Sequence, residues 1–287
     1  MIKKKRNIFV CIVKLKNIMA IVAVLFCAYI VSKVLNVVQT DALSKQKLPV
    51  VMYHSVINDI SRAGEYVITP EMFENDLKKI KASGYTTVNC SDLVDFVYAS
   101  KELPEKCVML TLDDGTMNNY TYVYPLLEKY DMKCVISVVG EYTDMYSKED
   151  AVLNDRYSYL SYTQIKELSD SGRVEIGNHT YHMHNMDKRK GVLKKKGENE
   201  EIYRNTLMSD VEKLQDTLYK NCGIIPVVFT YPYGAVNNLA QSIIRSMGFK
   251  VTLGCEEGVN IIDGAESLYN LKRYNRSADF DILKILK

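Results

Sequence analysis

The 287-residue chain contains no tryptophan, only four histidines, and no CxxC pair among its seven cysteines. The missing cysteine pairs argue against a structural zinc knot, and seven cysteines are too few for a disulfide scaffold. Charge of neither sign is in excess: 37 basic and 35 acidic residues leave a net charge of +2. So even a balance does not support nucleic acid as the main partner. No internal repeat is visible. What is present is ordinary for a globular chain, with 47% hydrophobic and 25% charged residues. That balance excludes disorder, collagen and coiled coil. The length allows one large or two small units at about 100–200 residues per domain. The 21 tyrosines do not by themselves identify a function.

The first 40 residues differ from the rest. Lys3, Lys4, Lys5, Arg6, Lys14 and Lys16 precede an uncharged stretch, 18–32, and Lys33 then interrupts it before the apolar run 34–38. About 20 mostly apolar residues suffice to cross a bilayer as a helix. Basic residues ahead of them favour a cytoplasmic N-terminus with the remainder outside. Residues 1–40 are therefore expected to be a basic segment and single-pass membrane anchor, with a cleaved signal and a secreted product as the alternative. Residues 41–48 read as a linker and 49–287 as the folded body. The body holds five cysteines, an odd number, and no obligatory disulfide is expected. A monomer is expected.

Strand and helix signals alternate through the body. Strands are expected at 49–53, 85–88, 107–112, 133–139, 174–177, 227–231, 250–253 and 271–274. Helices are expected at 70–83 (Thr69 as cap, Pro70 first), from Ser91 and Asp92 to 100, and at 118–130. Others are expected from the capping box Ser161…Gln164 to Gly172, and at 200–221, 237–247 and 279–287. Apolar strands separated by helices indicate a parallel sheet covered by helices. About seven such units suit a distorted (β/α) barrel in the α/β class, with its chemistry at the C-terminal strand ends. The charged run 188–201 reads as a solvated loop.

Three segments place unusual residues just after strands. Met109-Leu-Thr-Leu-Asp113-Asp114-Gly115 ends an apolar strand with two carboxylates and a glycine. One acid can bind a metal while the other takes a proton from water; an Asp-Asp-Gly turn is the plainer reading. Glu175-Ile-Gly-Asn-His179-Thr-Tyr-His182-Met-His184 gathers three of the four histidines within six residues. Neutral imidazoles are the commonest ligands for zinc-like ions. With a carboxylate from Asp113 or Asp114 they compose a two-histidine, one-carboxylate site. Phe229-Thr-Tyr-Pro-Tyr233-Gly234 is a stiff turn whose backbone N–H can face an oxyanion.

Together these segments resemble the polysaccharide deacetylase family, which shares the NodB homology domain (carbohydrate esterase family 4), over about residues 49–287. By that resemblance Thr111-Leu112-Asp113-Asp114-Gly115 is the first motif, with Asp113 the general base and Asp114 a metal ligand. The family's second histidine most often lies four residues after the first, where this chain has Met183. A subgroup acting on poly-β-1,6-N-acetylglucosamine uses one residue more, which fits His179 and His184 as ligands and leaves His182 as a neighbour behind them. The third motif has arginine where this chain has Thr230, and Tyr233 supplies the oxyanion N–H. The late Leu-x-His is missing, and His54, in Met52-Tyr53-His54-Ser55-Val56, stands in as general acid. Arg273, after a late strand, is a candidate to orient Asp113.

The resemblance implies hydrolysis of N-acetyl groups from an extracellular or cell-wall hexosamine polymer, with a divalent ion, zinc first and cobalt, nickel or iron as alternatives. Peptidoglycan and acetylated xylan are competing substrates. A non-catalytic, membrane-anchored glycan-binding protein on the same fold is the competing class. A glycoside hydrolase would need two carboxylates about 5–10 Å apart across a bond, which adjacent aspartates beside histidines do not suit.

Overall fold

The computed structural model describes residues 22–29, 45–186 and 189–286. The chain divides into two units, 1–44 and 45–287. In the first, residues 22–29 are helical and exposed, and the rest of the expected membrane segment lies outside the described residues. Among the described residues no helix is long and apolar enough to cross a membrane.

The second unit is an α/β fold built on a curled sheet of eight parallel strands. These are β1 (Val50–Tyr53), β2 (Thr86–Val88), β3 (Cys107–Leu112), β4 (Cys134–Val138), β5 (Val174–Asn178), β6 (Val228–Thr230), β7 (Val251–Leu253) and β8 (Tyr274–Asn275). The order is β7-β6-β5-β4-β3-β1-β8, with β2 also pairing with the first half of β3. β1, β3 and β4 are buried at every residue, as their unbroken apolar runs require of strands covered on both faces. The segment 271–275 joins the two ends of this order. Leu271 bridges Leu253 of β7, and Tyr274 pairs with Val51 of β1.

Seven helices cover the sheet: α1 (Pro70–Ala82), α2 (Cys90–Ala99), α3 (Tyr124–Tyr130), α4 (Gly140–Tyr146), α5 (Tyr162–Asp170), α6 (Glu200–Cys222) and α7 (Asn238–Ser246). Their starts follow from side-chain caps, each worth about 1 kcal/mol. Thr69 accepts from Met72 N, and Ser161 with Gln164 forms a capping box. Helix α2 is capped by Asn89, not by Ser91 or Asp92; Asp92 is the reciprocal partner three residues in. Helix α6 buries Tyr203, Leu207, Val211, Leu214 and Leu218, a stripe at helical spacing.

Within the segment read as a linker, Gln46–Leu48 pairs antiparallel with Asn260–Ile262. Two expectations are corrected. The closing helix 279–287 is only a 3-10 turn, Ile282–Lys284, whose start Asp281 caps. The helix expected at 118–130 opens as a π-helical segment, Asn119–Val123, before α3. Among the described residues every cysteine is free: Cys90, Cys107, Cys134 and Cys222 are buried, Cys255 is half-buried and Cys27 is exposed.

Candidate active site and metal centre

The candidate residues converge at the C-terminal strand ends around a cleft of about 600 Å³ lined by His54, Tyr66, Asp113, Asp114, His179, His184, Tyr233 and Cys255, among others. Asp113 follows β3 directly and its N–H donates to Tyr53 O (3.0 Å). Asp114 and Gly115 both adopt left-handed backbone, φ 70° and 67°. That reversal turns the second carboxylate to the same side as the first, which two adjacent strand residues cannot achieve. Only glycine fits at 115, because a Cβ there would lie 2.7 Å from Val138 Cγ1. Thr180 and Tyr233 are also left-handed (φ 72° and 58°). Three of the six non-glycine residues at positive φ among the described residues thus sit in or beside this site, where strain of about 1–3 kcal/mol each is held for geometry.

Asp114, His179 and His184 bring three ligand atoms within 4.8 Å of one another. Both Nε2 atoms face the same Asp114 oxygen, His184 at 3.1 Å and His179 at 3.6 Å. His179 Nδ1 lies 2.8 Å from the Thr230 carbonyl. A carbonyl only accepts, so Nδ1 carries the proton and Nε2 presents its lone pair, as a metal ligand must. Burial brings the His179 pKa down to about 4, which keeps the imidazole neutral at ordinary pH. Burial pushes Asp114 up, but its hydrogen bond from His184 and the electrostatics of the two neighbouring imidazoles outweigh that and leave it lowered. The donor set therefore fits a divalent cation.

Asp113 stands beside this trio in a different environment. Its side chain is buried, and Arg273 grips both carboxylate oxygens, Nη1 to Oδ1 at 2.7 Å and Nη2 to Oδ2 at 2.8 Å. Arg273 is itself fully buried and also donates to Gly254 O (2.6 Å) and Thr111 Oγ1 (3.1 Å). Burial raises the Asp113 pKa, yet the guanidinium overcomes it and holds the carboxyl well below the usual carboxylate range. Thr230, at the position where the resemblance expects arginine, is fully buried and shares a 2.6 Å hydrogen bond with Ser137. The arginine that reaches Asp113 comes from the segment before β8.

His54 follows β1, and its ring lies edge-on to Tyr66 at 4.9 Å between centroids. Its Nδ1 is buried without a hydrogen-bond partner. Tyr233 stacks near His184, centroids 4.8 Å apart, with its hydroxyl 3.4 Å from His184 Nδ1. His182 is not brought behind the metal trio. Its ring is exposed and Nδ1 pairs with Glu141. Sequence reasoning passed over two residues that shape this region. Asp210 on α6 accepts from Tyr181 N and His182 N. Gly140 opens α4 under Tyr181. Neither carries a local motif; only the unusual histidine interval hinted that something must hold that loop.

Residues 100–252 match the family described as polysaccharide deacetylase. The chain is 23% identical over 227 residues to the poly-beta-1,6-N-acetyl-D-glucosamine N-deacetylase of Escherichia coli (strain K12), covering 73% of this chain and 34% of that protein. It thus spans about a third of the length of that relative. Its fold is similar to a de-N-acetylase from Aggregatibacter actinomycetemcomitans, with a TM-score of 0.73 at 22% identity, covering 84% of this chain and 98% of that one. IcaB from Ammonifex degensii is similar with a TM-score of 0.67 at 25% identity, covering 82% and 93%.

Proposed function

Because the chain belongs to the polysaccharide deacetylase family, we propose that it hydrolyses N-acetyl groups from an extracellular hexosamine polymer, with poly-β-1,6-N-acetylglucosamine as the preferred substrate. The carrying observation is the Asp113–Arg273 pair set beside the Asp114, His179 and His184 trio in one cleft. The polymer assignment rests on the five-residue step from His179 to His184, on His54, and on the names of the relatives.

When bound by Asp114, His179 and His184, a divalent ion, zinc on this reading, supplies Lewis acidity to water and to the acetyl carbonyl. Asp113 accepts the proton of the attacking water, and Arg273 keeps that carboxylate ionised and fixed in plane. The Tyr233 backbone N–H faces the developing oxyanion. His54 donates a proton to the departing amine nitrogen, and its unpartnered Nδ1 faces no competing acceptor within the protein. The products are acetate and a polymer amine that is cationic at neutral pH. Residues 1–40 act as a single-pass anchor with the catalytic unit outside the cell membrane, and the protein works as a monomer.

The test is acetate release by the full chain from β-1,6- and β-1,4-linked N-acetylglucosamine oligomers, before and after metal removal by a chelator. Release that is lost with the metal, restored by zinc or cobalt, and faster on the β-1,6 oligomers is the expected result. No release from either oligomer by metal-loaded protein would overturn the reading.

A further inference from the structure

The two histidines that face Asp114 are five residues apart, a spacing that no regular element supplies. An α-helix brings i and i+4 to one face, and a strand brings i and i+2. The interval 180–183 must therefore be shaped by bonds from elsewhere in the fold, and the structure shows them on both of its edges. The carbonyls of Thr180 and Tyr181 accept from Gly140 N (3.1 Å) and Glu141 N (2.9 Å) at the start of α4. The N–H groups of Tyr181 and His182 donate to the two oxygens of Asp210, at 2.8 and 2.9 Å. Asp210 lies 28 residues beyond His182, on α6. Thr180 is held at φ 72° and its N–H donates to Asn178 Oδ1 (2.9 Å), while Met183 is buried at the far end. A side chain at 140 would come within 2.5 Å of Tyr181 Cδ2, so the approach of α4 requires the glycine.

We infer that Asp210 is a positioning residue for the Asp114–His179–His184 centre. Its carboxylate clamps two consecutive backbone N–H groups and so fixes where His184 stands relative to His179. The inference rests on reading that trio as a metal centre. A carboxylate accepting two charge-assisted bonds is suited to this task, because it satisfies both amides of a loop that has no ladder of its own. Without it, those two N–H groups turn to water and the loop is free to relax away from its left-handed residue. The ligands would then have to be ordered at the moment of binding, which lowers affinity.

The experiment is a cobalt(II) titration of the metal-free full chain against a competing chelator, with the visible d–d spectrum and the melting temperature recorded. Wild type, Asp210→Ala, Asp210→Asn and the exposed same-helix control Asp216→Ala are compared. Asp210→Ala is expected to weaken cobalt binding about 10–100-fold, the range seen when groups supporting metal ligands are removed. Asp210→Asn should fall in between, because its single carbonyl oxygen serves one amide and its NH₂ group opposes the other. Asp216→Ala should match wild type. A changed d–d spectrum in the Asp210 variants would support a moved ligand. Wild-type cobalt affinity in folded Asp210→Ala, whatever its melting temperature, would overturn the inference. If that variant does not fold, wild-type affinity and spectrum in Asp210→Asn would overturn it equally. A wild-type protein that binds no cobalt would instead remove the metal centre itself, and the clamp with it.

Discussion

Two buried arginine–aspartate pairs stand on either side of the same short strand of this protein and reach different parts of it. Arg273 and Arg276 flank β8, three residues apart, and an odd separation sends strand side chains to opposite faces. Arg273 turns inward and grips Asp113 at the cleft. Arg276 turns to the helix layer and grips Asp76 of α1, at 2.7 and 3.1 Å, where Tyr53 also donates to Asp76 (3.1 Å). Both pairs are nearly inaccessible, with side-chain exposures of 0% and 4% for the first and 5% and 1% for the second. Their protonation is nevertheless biased in opposite directions. Burial raises Asp113, but Arg273 prevails and its pKa is lowered. Burial raises Asp76 and prevails over Arg276, so its pKa is raised. Asp113 also feels His179 and His54 and opens on the cleft, whereas Asp76 is sealed between a strand and a helix. On the proposed function, the same two residue types serve as a reagent in one place and as a rivet in the other.

That contrast is sharpest where one residue is changed at each end. Asp113→Asn should reduce acetate release about 10²–10⁴-fold, the usual worth of a positioned base, while metal content stays at the wild-type value; its melting temperature should fall, because the buried Arg273 loses its ionic partner. Asp76→Asn should leave turnover per folded molecule unchanged; equal loss of turnover in both variants would erase the distinction. Next in size is Arg276→Met, expected to lower unfolding stability by about 3–5 kcal/mol at neutral pH by stranding a buried carboxylate. The raised pKa of Asp76 fixes the sign of its pH dependence. Stability linked to such a group is present below its unfolded pKa and is lost as pH rises through the folded one. Denaturant unfolding should therefore show a smaller deficit in mildly acidic buffer than at neutral pH, and a deficit constant with pH would refute the assignment. Smallest is Arg273→Lys, which keeps the charge but not the two-pronged geometry. Misplacement of the base should cost up to about 10²-fold in kcat, with KM unchanged. A shift confined to KM would mean that Arg273 acts on substrate binding.

The sequence made the strands and most helix starts legible, because apolar runs and Ser, Thr or Asn caps are local signals. It also exposed Asp113, Asp114, His179 and His184, since titratable residues clustered after apolar strands stand out on their own. What it hid was tertiary. Helix α4 begins on Gly140, which reads as a breaker, yet the glycine is there to let Tyr181 approach. Arg273 meets Asp113 across 160 residues, so spacing could only nominate it. Asp210 reads as one more acid on a charged helix. His182 counted toward the metal cluster by proximity in sequence, but the loop that brings His184 inward turns it out to Glu141. The helix expected at 279–287 is only the 3-10 turn Ile282–Lys284, and Ile282, Ile285 and Leu286 are buried there without a longer helix.

The unpaired thiols carry a consequence for how the protein matures. Each described cysteine is single, and within the folded body four of the five lie inside the hydrophobic layers as small apolar side chains. No covalent cross-link has to be made or reshuffled for the sheet to close. The body can therefore reach its native state in a reducing or an oxidising medium alike, with no disulfide oxidase or isomerase setting the pace. Growth conditions that stall disulfide-dependent proteins should leave the yield of this one untouched.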